Sequence, residues 1–196
     1  MTTAAPARTP AAVAAFGGCA ALLLRPVLLD NLTHPALVLA IIFVAIGTLG
    51  VAWPTDPRRL LARQVRYSDV TRQKSWGLVG PLLVGVGAFA VGRVIGGGHP
   101  PTHAIGVALL GNTLAAVAEE AFFRRFLYGV LEPYGAGVAI AGSTVAFAVV
   151  HVTVYGAWVL PIDLAAGAIL SWQRWATGSW AVPALTHVIA NVLVMM

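Results

Sequence analysis

The chain has 196 residues, of which 59% are hydrophobic and 10% charged, with a formal net charge of +5 and a mean hydropathy of +0.84. Soluble domains carry about 25% charged residues, so a water-soluble globule of this size is excluded, and disorder is excluded by the same apolar excess. The solvent such a surface fits is lipid, and the chain reads as one compact bundle, 1–196, without internal repeats.

In chain order, Ala11 to Leu29 is the first expected membrane span, interrupted by Arg25 and Pro26, and Pro35 to Trp53 is the second. Arg8 followed by an apolar run imitates a signal peptide. No small-residue cleavage site follows, so a retained span is expected. The polar stretch 54–75 comes next and holds Arg58, Arg59, Arg63, Arg66, Arg72 and Lys74. Trp76 to Ile95, Ala104 to Tyr128, Gly137 to Val154, Ala157 to Trp172 and Trp180 to Met196 complete an all-α polytopic transmembrane bundle of about seven spans. Three stretches without a charged residue, between Asp30 and Asp56, Arg93 and Glu119, and Glu132 and Asp163, are each long enough for a spanning helix. They lack the alternating polarity of a membrane barrel.

Lys and Arg in short loops mark the cytoplasmic side. The 54–75 loop is therefore expected in the cytoplasm, with Arg8, Arg124, Arg125 and Arg174 on the same side, the N-terminus cytoplasmic and the plasma membrane of a bacterium as host. The basic excess is then a topology signal with affinity for anionic headgroups. Membrane lipids are expected partners and nucleic acid is not, because no exposed aromatics interleave the basic residues. The tryptophans read as interfacial belts. The single cysteine, Cys19, excludes an internal disulfide and reads as small apolar filler.

Ionisable groups inside a membrane are costly and mark functional sites by default. Glu119 and Glu120 lie in the fourth span, His151 in the fifth, His187 and Asn191 in the last. Glu120 and Arg124 are spaced i, i+4 in the favourable order for an ion pair. Glu119 points about 100° away, on the azimuth of Asn112. It is expected to face the bundle centre without a cation, as a general base. His187 and Asn191 share a face, suited to a metal, an oxyanion or each other. Taken singly, each group has a structural reading: a satisfied core histidine, an interhelical hydrogen bond, a lock. Taken together they point to one shared site.

These residues resemble a known family. Glu119-Glu120-Ala121-Phe122-Phe123-Arg124 is similar to the EExxxR signature of the CAAX prenyl protease and bacteriocin-processing family, also called CPBP or Abi. Phe147-Ala148-Val149-Val150-His151 resembles its FxxxH motif, and His187-Val188-Ile189-Ala190-Asn191 its HxxxN motif. Residues 175–183 also look like that family's approach to the third motif. The resemblance covers roughly Ala104 to Met196, which divides the chain into a catalytic core, 104–196, and N-terminal spans with the basic loop, 1–103.

The resemblance implies an intramembrane endopeptidase similar to the type II CAAX endopeptidase, acting on a peptide or protein substrate, with lipidated or membrane-inserted substrates as the alternatives. It implies that Glu119 activates water with His151, that His187 and Asn191 stabilise the oxyanion, and that Glu120 and Arg124 organise the site. The family is usually labelled metalloprotease. Glu119, His151 and His187 would supply a three-ligand zinc site with an open position. No cofactor is demanded, and the metal-free glutamate–histidine mechanism uses the groups more economically. The cavity is expected to open toward the cytoplasm, with His151 deeper than Glu119 and His187. The competing readings are a small transporter or proton relay, which should show repeated halves, and a non-catalytic scaffold or bacteriocin-immunity protein.

Overall fold

The computed structural model describes residues 8–53, 77–95 and 105–195, and among them there is no β-strand. The basic 54–75 stretch, Trp76 and the 96–103 connection lie outside the described residues. Helix α1 (Arg8–Leu23) is followed by α2 (Arg25–Asn31), bent from it by 48°. Pro26 causes the break: it offers no N–H to the Leu22 carbonyl, and its ring crowds the turn before it. Helix α3 (Pro35–Ala52) opens on a proline, tolerated in a first turn, and α4 is Val79–Ile95.

Helix α5 (Ile105–Glu120) runs directly into seven residues of π-helix, Ala121–Leu127, then into a last α turn, α6 (Tyr128–Leu131), and a 3₁₀ turn, Glu132–Tyr134. The wider winding is visible where the Tyr128 amide donates to the Phe123 carbonyl, five residues back. Helix α7 (Ala136–Tyr155) follows. A 3₁₀ turn at Ala157–Val159 leads to α8 (Leu160–Thr177), and α9 is Ala181–Met195. Gly156 permits the reversal after α7 with φ 87° and ψ 168°, a backbone open essentially to glycine alone. Gly178, at φ 66°, ends α8 in the left-handed conformation usual for a helix C-terminus.

The helices follow one another around a ring. Helix α3 packs on α5, α5 on α9, α9 on α4, α4 on α8, α8 on α7, and α7 on the bent α1–α2 pair, which returns to α3. One half of the ring is plugged. Phe122, Phe123 and Phe126 of the π segment fill it with Leu22, Ile42 and Ile46. Close approach makes this possible: a Cβ on Gly50 would lie 2.4 Å from the Ala121 backbone, and one on Gly18 would lie 2.3 Å from the Phe122 ring.

Polarity is distributed inside out relative to a soluble protein. Large apolar side chains such as Phe16, Leu83, Val91 and Leu110 are exposed, whereas Arg25, Glu119, Glu120, Arg124, His151 and Arg174 are buried. Such an apolar exterior fits a lipid environment. By length and hydropathy, Pro35–Ala52 and Ala136–Tyr155 can cross a membrane, and α1 with α2 makes a third candidate if the bent pair is one span. The other helical segments stand where further spans are expected but fall short of those criteria, so the count of seven is not established by this test.

Candidate active site

The two glutamates leave the backbone in different directions, and each meets its own partners. Glu120 is fully buried. Its Oε1 accepts hydrogen bonds from Arg124 Nη1 at 3.0 Å and from His187 Nδ1 at 2.9 Å. Arg124 extends the lock: Nη2 donates to the Gly167 carbonyl of α8 at 3.2 Å, and the guanidinium lies 4.4 Å from the centre of the Phe147 ring. The Gly167 carbonyl is within reach because α7 and α8 pack closely at that level, where a Cβ would touch Thr144 and Phe147. The i, i+4 pair read from the sequence is thus present, and it joins four elements: α5, the π segment, α8 and α9.

Glu119 does not stand without a cation, which corrects the expectation. Arg25 Nη1 lies 3.7 Å from Glu119 Oε1, both side chains being buried. The Pro26 break turns Arg25 into the bundle, where its guanidinium also lies 5.7 Å from the centre of the Phe43 ring. The second carboxylate oxygen, Oε2, is 3.7 Å from His151 Nε2. His151 Nδ1 is 2.7 Å from the Phe147 carbonyl. A carbonyl can only accept, so the proton sits on Nδ1, and in the neutral ring the Nε2 lone pair faces Glu119. Asp163 of α8 approaches the same ring, its Oδ2 4.0 Å from Nδ1. Tyr155 stacks on it, with planes 8° apart.

A cavity of about 1180 Å³ collects these groups. Glu119, His151, His187 and Asn191 line it, with Arg25 and Asp163, on an otherwise mostly apolar wall. Glu120 and Arg124 stand behind the wall rather than on it. Asn191 Nδ2 donates to the Asn112 carbonyl of α5 at 3.2 Å, tying α9 to α5. His151 is not the outlier in depth that the sequence suggests. The helix carrying Glu119 continues to Leu131, so Glu119 and His151 are nearly level.

The set Glu119, His151 and His187 is not gathered as metal ligands. His187 turns Nδ1 to Glu120, and among the described residues no three His, Cys, Asp or Glu side chains are grouped to hold an ion.

Two arginines read as markers of the cytoplasmic side also make contacts within the bundle. Arg174 is buried; its Nε donates to the Arg124 carbonyl at 2.8 Å, its Nη1 to the Gly178 carbonyl, and it lies over Tyr128. Arg125 caps the end of α3 by donating to the Gly50 and Val51 carbonyls. The cavity lining comes from Leu29, Ala36, Arg93, Ala108, Trp158 and Met195, among others, all in the half of the bundle away from the helix ends that flank 54–76.

In the sequence Arg25 stands only as an interruption of the first span and Asp163 only as the end of an uncharged stretch. That was the available signal. What it lacked was the direction given by the Pro26 break and the turn at Gly156.

A lipid-facing helical bundle with buried charges around an internal cavity defines this chain as a membrane protein. Residues 101–193 match the model of the Rce1-like family, described as type II CAAX prenyl endopeptidase Rce1-like, over just under half of the chain. The match is a likeness over residues 101–193, and it falls on the same stretch as the three motifs. Glu119, Glu120, Arg124, His151, His187 and Asn191 all fall inside the matched residues; Arg25 falls outside them. No curated protein and no solved structure shows a significant match.

Proposed function

We propose that this protein is an intramembrane endopeptidase that hydrolyses a peptide bond with water activated by Glu119 and His151. The observation that carries this reading is the convergence of Glu119, His151, His187 and Asn191 on one cavity. Two acceptors, Glu119 Oε2 and His151 Nε2, stand 3.7 Å apart. That gap suits one water donating a hydrogen bond to each, with its own lone pair turned to the substrate carbonyl. Glu119 takes the proton as the C–O bond forms, and the same proton passes to the departing amine as the C–N bond breaks.

The oxyanion needs donors in a dry site. His187, held at Nδ1 by Glu120, and Asn191, with the second hydrogen of Nδ2, are the groups this reading assigns to it. Glu120 and Arg124 set the position of His187. No step of this reading is routed through a metal. The apolar wall suits a substrate whose scissile segment is flanked by apolar or lipidated chain. The matched family is described as a CAAX prenyl endopeptidase, which makes a prenylated peptide the first choice. With the arginines of 54–75 on the cytoplasmic side, the cavity belongs to the opposite half of the bilayer.

The test is substrate capture. Glu119→Gln, expressed in native membranes and crosslinked, is expected to retain a peptide that wild type releases cleaved. Recovery of the same uncleaved peptide from both proteins, or equal turnover by both, would remove Glu119 from the chemistry.

A further inference from the structure

Arg25 lies in the N-terminal half, outside the residues that match the family. It is 6% exposed, on the first turn after the Pro26 break. A charge in that position is costly unless something inside requires it. Its Nη1 approaches Glu119 Oε1, while Glu119 Oε2 faces His151 Nε2. The two oxygens therefore have separate partners on separate helices. Other charged or titratable groups border the same cavity: Asp163 behind His151, Tyr155 stacked on it, His187 from α9 and Arg93 from α4. Arg93 donates to the Leu193 carbonyl, so its side chain is engaged with α9.

We infer that Arg25 is a positioning residue for Glu119: it fixes Oε1 so that Oε2 stays aimed at His151 and the water between them. The inference rests on the peptidase reading for its kinetic consequence but not for the pairing itself.

The experiment uses the full chain in proteoliposomes with a farnesylated peptide ending in cysteine, two aliphatic residues and a free C-terminal residue. Arg25→Met keeps the bulk and removes the charge. Misplacing a reacting group costs about 100-fold, so kcat should fall about that far, with KM changed little. Arg25→Lys should recover at least about a tenth of wild-type kcat, because a cation is restored on the Glu119 side of α2, one bond short of the guanidinium nitrogen it replaces. In a Glu119→Asp background, which keeps a carboxylate and residual turnover, Arg25→Met should cost less than it does in wild type, as expected for residues that act through one another.

A merely structural role would lower the yield of folded protein without this split and without the non-additivity. An Arg25→Met enzyme with wild-type kcat, or a folded Arg25→Lys enzyme as inactive as Arg25→Met, would overturn the inference. If Arg25→Met is recovered unfolded, Arg25→Lys decides alone by the same criterion.

A second readout needs no substrate. The infrared carboxylate band of Glu119, isolated by difference against Glu119→Gln, should move in Arg25→Met and stay in Arg25→Lys. An unmoved band in Arg25→Met overturns the pairing. A wild type that cleaves nothing while the band moves defeats the peptidase reading and leaves the pairing intact.

Discussion

Glu120 Oε1 serves two donors at once, Arg124 and His187, and this makes Arg124 the residue whose loss the fold should feel most. Arg124→Ala leaves a fully buried carboxylate with only a histidine. Breaking a buried ion pair costs about 3–5 kcal/mol, and the Gly167 and Phe147 contacts go with it. The expected result is a sharp fall in thermal midpoint and folded yield in detergent; a midpoint within a degree or two of wild type would count against the lock. At this scale the sequence was legible where chemistry and spacing coincide. Glu120–Arg124 follows from helical geometry, and the His151 and His187 motifs were visible as intramembrane polar groups. Arg25 and Asp163 were visible as anomalies only. Their partners lie far along the chain, and nothing local tells which way a side chain turns after a proline break or a glycine reversal.

The element that most shapes the site is the π segment, Ala121–Leu127. No residue pattern announced it, because its side chains are ordinary helix and core residues; the irregularity is a matter of backbone winding and of what packs against it. Such segments often sit at functional sites. Here it places Phe122, Phe123 and Phe126 in the plugged half of the ring while Glu119 and Glu120, just before it, reach the cavity and its back wall. Gly50 is the contact that admits it. Gly50→Ala brings a methyl within 2.4 Å of the Ala121 backbone, which cannot swing aside as a flexible side chain could. Overpacking of this kind costs about 1–3 kcal/mol. Reduced thermal stability is expected, with a further loss of activity because the segment carries Arg124. Unchanged stability and turnover would show that α3 and the π segment slide apart freely. The helix positions themselves were largely legible from hydropathy. The lengths were less so: α5 and its continuation run to Leu131, beyond the expected Tyr128, and that difference brings Glu119 level with His151.

At the scale of the whole molecule, the ring of helices has a plugged half and a hollow half, and the ionisable groups stand at the boundary between them. This arrangement was not available from the sequence, because hydropathy gives spans but not which neighbours leave a gap. Trp158 lines the cavity and is 70% exposed. The proposed orientation, with the basic 54–75 loop cytoplasmic, predicts that a Trp158→Cys, Cys19→Ala variant in intact cells reacts with a membrane-impermeant maleimide added outside. Reaction only after permeabilisation would reverse the orientation and turn the cavity to the cytoplasm.

Hydrolysis itself is tested most directly by purified protein in proteoliposomes with the farnesylated peptide, with product release followed by mass spectrometry in ¹⁸O-labelled water. Wild type should release the C-terminal tripeptide and place one ¹⁸O in the new carboxylate, while folded Glu119→Ala and His151→Ala should each release none. Release from either folded variant at the wild-type rate would contradict the assignment of Glu119 and His151 to the activated water.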